Sequence, residues 1–295
     1  RIGLVKSMLK QDEYSAALKE CVVEDAFPAD AQADLTALRA LALAGLEQQE
    51  NAQAALNAAE LLQPDAALVF QTRIDFLIAA GNIAEAAQVT ARALERYPDN
   101  VSFKLREAAL FASEQDLTRA DKRLREVIAL DPPGYISGHG HSARLALVKI
   151  RIIEQNHSDT STFIEPLYGR DTEALYLGAL LAYQEDNFEL AEELLLKLFN
   201  RSPDNLPSMQ LYGMVSYSQE NYEKAAYYLA KYVSANPDNQ SVSGWVAAAC
   251  WSESLSDPES RIARFDDGVR SHAILNDRLA WVYDFWFIKA IPSSS

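Results

Sequence analysis

Residues 187–205 read NFELAEELLLKLFNRSPDN, and residues 221–239, which start 34 positions further along the chain, read NYEKAAYYLAKYVSANPDN. Both segments begin with asparagine, carry alanine at their fifth position and end on the triplet Pro-Asp-Asn. A segment that recurs at a fixed period of about 20 to 50 residues indicates a repeat architecture in which each unit is one small supersecondary element. The sequence therefore predicts a chain built from similar stacked units.

Prolines mark the period along the chain. They fall at positions 64, 98 and 132 and again at 203 and 237, so the steps within each group are 34 residues. Counted back from these prolines by twelve, eight and five residues, three columns hold mainly small or apolar side chains: Ala52, Ala86, Ala120, Ala191 and Ala225; Leu56, Thr90, Leu124, Leu195 and Leu229; Ala59, Ala93, Val127, Leu198 and Tyr232. Spacings of four and three residues place the three columns on one helical face, which is predicted to pack.

A first helix precedes this stripe in each unit. Its column twenty-four residues before the proline is mostly small, which allows close approach to the second helix: Ala40, Ile74, Ala108, Ala179 and Gly213. Polar pairs such as Gly81-Asn82 and Asp186-Asn187 indicate the turn between the two helices. The Pro-Asp-Asn triplet supplies a helix stop and an N-cap. Each unit is therefore predicted to be helix, turn, helix, stop.

A 34-residue helix-turn-helix unit with these columns resembles the tetratricopeptide repeat (TPR) family, in a divergent bacterial form. The resemblance covers residues 31–132 and 172–237, and extends more weakly into 1–30. The chain departs from the family pattern because it lacks the early tryptophan and because Ile74 replaces a small residue. The resemblance implies an all-α fold, a right-handed superhelical solenoid of helix-turn-helix repeats.

Four segments are predicted along the chain. Residues 1–132 and 172–239 hold TPR-like repeats, and 133–171 is a degenerate repeat because Glu154 occupies a column that should be alanine. Residues 240–295 are predicted to hold a divergent repeat followed by an aromatic helix. We favour a capping role for that helix, since a solenoid needs its apolar end covered. An exposed docking or membrane-interface helix is the alternative.

Composition argues against two classes of partner. The chain has 42 acidic and 27 basic residues and a formal net charge of −15, with no basic stripe, which disfavours nucleic acid. No segment approaches the roughly 20 apolar residues of a membrane-spanning helix. Cys21 and Cys250 are predicted to be buried apolar residues and not a disulfide framework. Cytoplasm and periplasm both fit as compartments, the second with a signal or anchor removed before Arg1.

Candidate catalytic and metal-binding residues are few. His139 and His141 form an HxH pair, but no Cys or carboxylate stands beside them at metal-ligand spacing, so a structural loop is favoured over a metal site. His157 and His272 lack an accompanying nucleophile pattern. GxSxG, P-loop and GxGxxG sequences are absent. We therefore predict a protein that is not an enzyme and has no cofactor.

The resemblance implies a binding surface. In proteins of this family the first helices of successive units line a concave groove that holds a peptide or partner segment. Carried onto this chain at 30, 27, 23 and 20 residues before each proline, the groove positions implied to bind a partner include Gln71, Asp75, Tyr176, Tyr183, Gln210, Met214 and Tyr217. The alternative is that these tyrosines only pack between neighbouring helices.

The groove columns contain acidic residues, Asp75 and Glu173, but no Lys or Arg. The basic clamp that some family members use to hold a terminal carboxylate is therefore predicted to be absent. An aromatic and mildly acidic groove favours a partner segment with apolar anchors and a Lys or Arg.

Two functions are consistent with these features. The first is a non-enzymatic scaffold or adaptor for protein partners, in the style of bacterial TPR proteins of envelope assembly such as pilus biogenesis or polysaccharide export. The second is a sensor that changes its superhelical curvature when a peptide or small molecule binds, with residues 133–171 as its hinge.

Overall fold

The computed structural model describes residues 1–236, except for positions 25, 133 and 220. No β-strand occurs in this part of the chain, which is built from α-helices and one short 3-10 helix, Glu165–Leu167. In chain order the α-helices are α1 (Ile2–Lys10), α2 (Tyr14–Glu20), α3 (Ala29–Gly45), α4 (Gln49–Leu62), α5 (Ala67–Ala79), α6 (Ile83–Arg96), α7 (Val101–Ser113), α8 (Leu117–Ala129), α9 (Gly138–Ile153), α10 (Thr160–Ile164), α11 (Thr172–Gln184), α12 (Phe188–Arg201), α13 (Leu206–Ser218) and α14 (Tyr222–Ala235).

The described residues divide into two compact units, 1–146 and 147–236, with the boundary inside α9. In the first unit α1 packs against α2, α3 against α4, α5 against α6 and α7 against α8. In the second unit α11 packs against α12 and α13 against α14. Each pair is one helix-turn-helix element of the predicted repeat. The predicted segments at 1–132, 133–171 and 172–239 remain predictions, and residues 240–295, with Cys250 and the aromatic helix, lie outside the described residues.

The predicted packing stripe forms the core of these pairs. Its alanine column is completely buried through Ala52, Ala86, Ala120 and Ala191, and its leucine column through Leu56, Leu124, Leu195 and Leu229. Thr90 takes the place of a leucine and is also fully buried, and its hydroxyl donates a hydrogen bond to the Ala86 carbonyl oxygen at 2.7 Å. A buried hydroxyl with a partner costs little, so the stripe tolerates this polar residue. Periodic burial on one face is what holds each pair together.

Close helix approach in the second unit depends on a residue without a side chain. A Cβ atom at Gly213 would lie 2.6 Å from Leu229 Cγ and 3.3 Å from the Ala225 carbonyl oxygen. The small-residue column therefore does what its composition predicts. Burial of Cys21 is also confirmed, and that burial raises the pKa of its thiol to about 11.

The turn inside each helix pair contains a residue with left-handed backbone. These residues, with φ between 56° and 76°, are Asp12, Glu47, Gly81, Gln115 and Asp186. Glycine reaches this conformation without strain, whereas a Cβ atom adds roughly 1 to 2 kcal/mol. The turn is thus fixed by its place in the repeat and not by the identity of its residue.

The turn residues offer a matched pair of stability tests. Gln115→Gly is expected to raise the free energy of unfolding, and Gly81→Ala to lower it, each by about 1 kcal/mol or less, because a Cβ atom is removed from or added to a left-handed residue. A Cβ atom at Gly81 would meet no heavy atom within 4 Å, so packing does not contribute there. Urea unfolding followed by circular dichroism measures both changes. Shifts of the same sign in both variants would contradict the backbone argument.

The segment around α9 departs from the repeat. The long helix expected there is α9, with 16 residues, and the short second helix is α10 followed by the 3-10 helix. Glu154 comes directly after the end of α9 and is exposed, which explains why an acidic residue is tolerated in a column otherwise filled by alanine. Ile164 and Leu167 are fully buried in the second unit instead.

Candidate partner-binding groove

The second unit places two first helices, α11 and α13, next to each other. Both have defined starting points: the Asp171 side chain accepts a hydrogen bond from the Glu173 backbone N–H at 2.7 Å, and the Asn205 side chain accepts one from the Ser208 backbone N–H at 3.0 Å. An N-cap fixes which residue begins the helix and therefore which residues share a face. Residues 34 apart on α11 and α13 are thus held at equivalent positions.

The candidate groove residues of the second unit form one surface, which we call the α11–α13 face: Tyr176, Leu180, Tyr183, Gln210, Met214 and Tyr217. Leu180 and Met214 are buried, at 4% and 5% exposure, and form its apolar base. The three tyrosines and Gln210 are partly exposed. The Tyr183 ring also packs at 5.8 Å from the Phe188 ring. The face therefore combines a buried base with side chains that carry an aromatic ring or an amide and a polar tip.

Glu173, at the start of α11, is already neutralised by a buried lysine. Lys149 Nζ lies 2.5 Å from Glu173 Oε1, and Lys149 is only 7% exposed. A carboxylate in contact with an ammonium group presents little net charge to an approaching ion. The acidic feature that was expected near the α11–α13 face is therefore compensated within the protein.

The first unit shows the same arrangement between α5 and α7. Arg106 Nε donates a hydrogen bond to Asp75 Oδ1 at 2.8 Å, and Arg106 Nη2 donates to Asp75 Oδ2 at 2.7 Å. Arg106 is 4% exposed, and its Nη1 also donates to the Ser102 carbonyl oxygen at 3.3 Å. Gln71, one helical turn before Asp75, is partly buried. The expectation of mildly acidic groove columns is corrected, because both carboxylates have buried cationic partners.

Sequence columns missed Arg106 and Lys149 for a simple reason. The groove columns were carried over at fixed distances from the prolines, and neither cation stands in such a column. A usable signal did exist for the first pair, since Asp75 and Arg106 are 31 residues apart, one helical turn short of the repeat. Opposite charges at that separation meet across two successive first helices. Lys149 lies in the degenerate segment, where no column could be assigned.

The HxH stretch has a structural explanation. Asp131 Oδ2 accepts a hydrogen bond from Arg144 Nη1 at 2.6 Å, and a Cβ atom at Gly140, between His139 and His141, would overlap this carboxylate. Burial lowers the pKa of His139, so its ring is neutral at neutral pH. Among the residues that the structure describes, no group of three or more His, Cys, Asp or Glu side chains could hold a metal ion.

Comparison with known proteins identifies the fold. No protein-family model matches the sequence, and a comparison with curated proteins found no match. A tetratricopeptide repeat protein from Parabacteroides merdae superposes with a TM-score of 0.58 over 85% of this chain and 98% of that protein, at 12% identity. This chain has the TPR fold. The predicted all-α solenoid of TPR-like repeats is thereby confirmed.

Two further TPR-fold structures are similar. PilW, described as a widely conserved type IV pilus biogenesis factor, is 16% identical over 72% of this chain and 98% of its own, with a TM-score of 0.54. YrrB, described as a TPR protein with an unusual peptide-binding site, is 15% identical over 68% of this chain and 98% of its own, with a TM-score of 0.52. At such identities the likeness establishes the fold, and function has to be argued from the site.

Proposed function

We propose that this TPR-fold chain is a non-enzymatic interaction scaffold that binds a segment of a partner protein at its α11–α13 face. One observation carries the proposal: three tyrosines and a glutamine are partly exposed above the buried base of Leu180 and Met214. Tyrosine is enriched among the residues that dominate binding energy, because its ring provides apolar contact area and its hydroxyl a hydrogen bond. A peptide backbone can use both.

Other features support a protein partner. The net charge of −15 disfavours a polyanion such as nucleic acid. No helix in the described ranges is long and apolar enough to cross a membrane. The peptide-binding site described for YrrB shows that the same fold serves peptide recognition in another protein. Gln71 and Asp75, in the first unit, remain predicted partner contacts, with Asp75 acting only as the neutralised half of an ion pair.

The proposal is tested with the triple variant Tyr176→Ala/Tyr183→Ala/Tyr217→Ala. Partner capture from the native host should fall at least about tenfold, since three central aromatic contacts are removed together. A matched control removes three exposed apolar side chains from second helices, Leu61→Ala/Leu196→Ala/Tyr227→Ala, which are 88%, 45% and 55% exposed. Capture is quantified by mass spectrometry, and circular dichroism confirms equal helix content in both variants. Equal capture by the triple variant and the wild type would contradict the proposal.

A narrower placement in bacterial envelope assembly, with pilus biogenesis first, is supported by the likeness to PilW. It predicts that deletion of the gene reduces surface pili, and that the wild-type gene restores them while the triple tyrosine variant does not. A deletion strain with normal pili would contradict this narrower role and leave the scaffold function standing.

A further inference from the structure

We infer that the α11–α13 face recognises a partner segment whose anchoring side chains are apolar or aromatic and uncharged, because the protein neutralises its own charge at this face. The inference rests on the proposed function and adds to it the chemical class of the ligand. It replaces the sequence-based expectation of a basic anchor.

The Lys149–Glu173 pair offers little to a basic anchor. Its two charged atoms are 2.5 Å apart, and Lys149 is more than nine-tenths buried, so the ammonium group is held in place beside the carboxylate. A partner Lys or Arg that approaches Glu173 meets an equal positive charge at nearly the same distance. The attraction and the repulsion largely cancel, and a basic anchor gains little. Displacing Lys149 would leave a buried ammonium group without its partner, which is strongly unfavourable.

An acidic anchor is disfavoured for a different reason. Lys149 is buried and already in contact with Glu173, so it cannot approach a partner carboxylate without breaking that ion pair. The whole chain also carries a formal charge of −15, which repels an acidic segment during its approach. A carboxylate therefore finds neither local nor long-range attraction.

The interactions that remain are those of the side chains on the face. Leu180 and Met214 provide an apolar base, and a methionine thioether adapts to aromatic and aliphatic groups of different shapes. The tyrosine hydroxyls and the Gln210 amide can both donate and accept hydrogen bonds, which suits the uncharged backbone of a peptide. Binding of this kind depends little on ionic strength, because no opposite charges are screened.

A phage library of random 12-residue peptides provides the probe. Selection on the wild-type protein, with the triple tyrosine variant used for subtraction, is expected to enrich peptides with Trp, Phe, Leu or Ile anchors and no shared charged position. Synthetic copies of the enriched peptides should change in affinity by less than roughly twofold between about 0.05 and 0.5 M NaCl. Fluorescence anisotropy measures these affinities.

Two variants test the role of the ion pair directly. Lys149→Met leaves the Glu173 carboxylate uncompensated, and selection on this variant should shift to peptides with a Lys or Arg anchor whose binding weakens in salt. Lys149→Met/Glu173→Gln removes both charges at similar volume and should return the wild-type selection. The double variant also serves if the single one does not fold, since it then has to select the same peptides as the wild type.

The outcomes separate the inference from the function on which it rests. Peptides with a shared basic or acidic anchor, selected by the wild-type protein and lost with the double variant, would overturn the inference and leave the binding function intact. If no peptides are enriched over the triple tyrosine variant, the proposed function itself fails. Uncharged anchors on the wild type, replaced by basic ones on Lys149→Met, would support both.

Discussion

Asp75→Ala is expected to lower the free energy of unfolding by about 3 to 5 kcal/mol, because it leaves a buried arginine without its counterion. Arg106 is 4% exposed and donates two hydrogen bonds to the Asp75 carboxylate. Its contact with Ser102 satisfies only Nη1. Water cannot reach the freed guanidinium group without local opening of the α5 and α7 pairs. Urea unfolding followed by circular dichroism gives the change.

Two controls separate charge from packing at this pair. Asp75→Asn keeps the shape and removes the charge, so it should also destabilise the protein, by less than Asp75→Ala because the amide oxygen still accepts a hydrogen bond. Asp75→Leu/Arg106→Met replaces both charges by apolar groups of similar volume and should be close to wild type or more stable. If the double variant loses as much stability as Asp75→Ala, the charge argument is wrong and the side-chain packing is what matters.

Gly213→Ile is expected to destabilise the second unit by about 1 to 3 kcal/mol or more through overpacking. Even its Cβ atom would lie 2.6 Å from Leu229 Cγ and 3.3 Å from the Ala225 carbonyl oxygen, which belongs to the backbone and cannot rotate away. Isoleucine gains roughly 0.5 kcal/mol of helix propensity over glycine, which is too little to offset the overlap. The midpoint of urea unfolding measures the net effect.

The same two columns suggest a rescue. In the α5–α6 pair the equivalent positions hold Ile74 and Thr90, both fully buried, so a large first-helix residue is matched by a smaller one on the second helix. Gly213→Ile/Leu229→Thr transfers that combination to the α13–α14 pair and should recover a substantial part of the loss. Leu229→Thr alone should destabilise by leaving a cavity. If the double variant shows only the sum of the two single effects, the columns do not compensate one another.

The stripe illustrates what can be predicted without coordinates. Ala191, Leu195 and Leu198 lie within two helical turns of each other, so their shared face follows from helix geometry. All three are buried, as their period predicts. Left-handed turns were harder to foresee, because Gly81 is a recognisable signal but Glu47 and Gln115 adopt the same backbone without any special residue. The repeat imposes the conformation, and the residue tolerates it.

The candidate site shows the opposite case. Asp75 and Glu173 were assigned to the groove columns, but their neutralisation by Arg106 and Lys149 requires knowing which neighbouring helix each carboxylate faces. Met214 was assigned to the same surface as the tyrosines and is buried, because it occupies the base between them. The partner chemistry changes as a result, from a basic anchor to an uncharged one.

The amino-acid sequence by itself determined the 34-residue period, the helix pairs and the buried stripe, because these depend on spacings of three and four residues inside one helix. Only the tertiary structure decided the charge that the groove helices present, since the Asp75–Arg106 contact joins residues 31 positions apart on different helices. Local periodicity is written in neighbouring residues. Electrostatic neutralisation depends on distances of a few ångströms between helices, and those are set only when the helices pack.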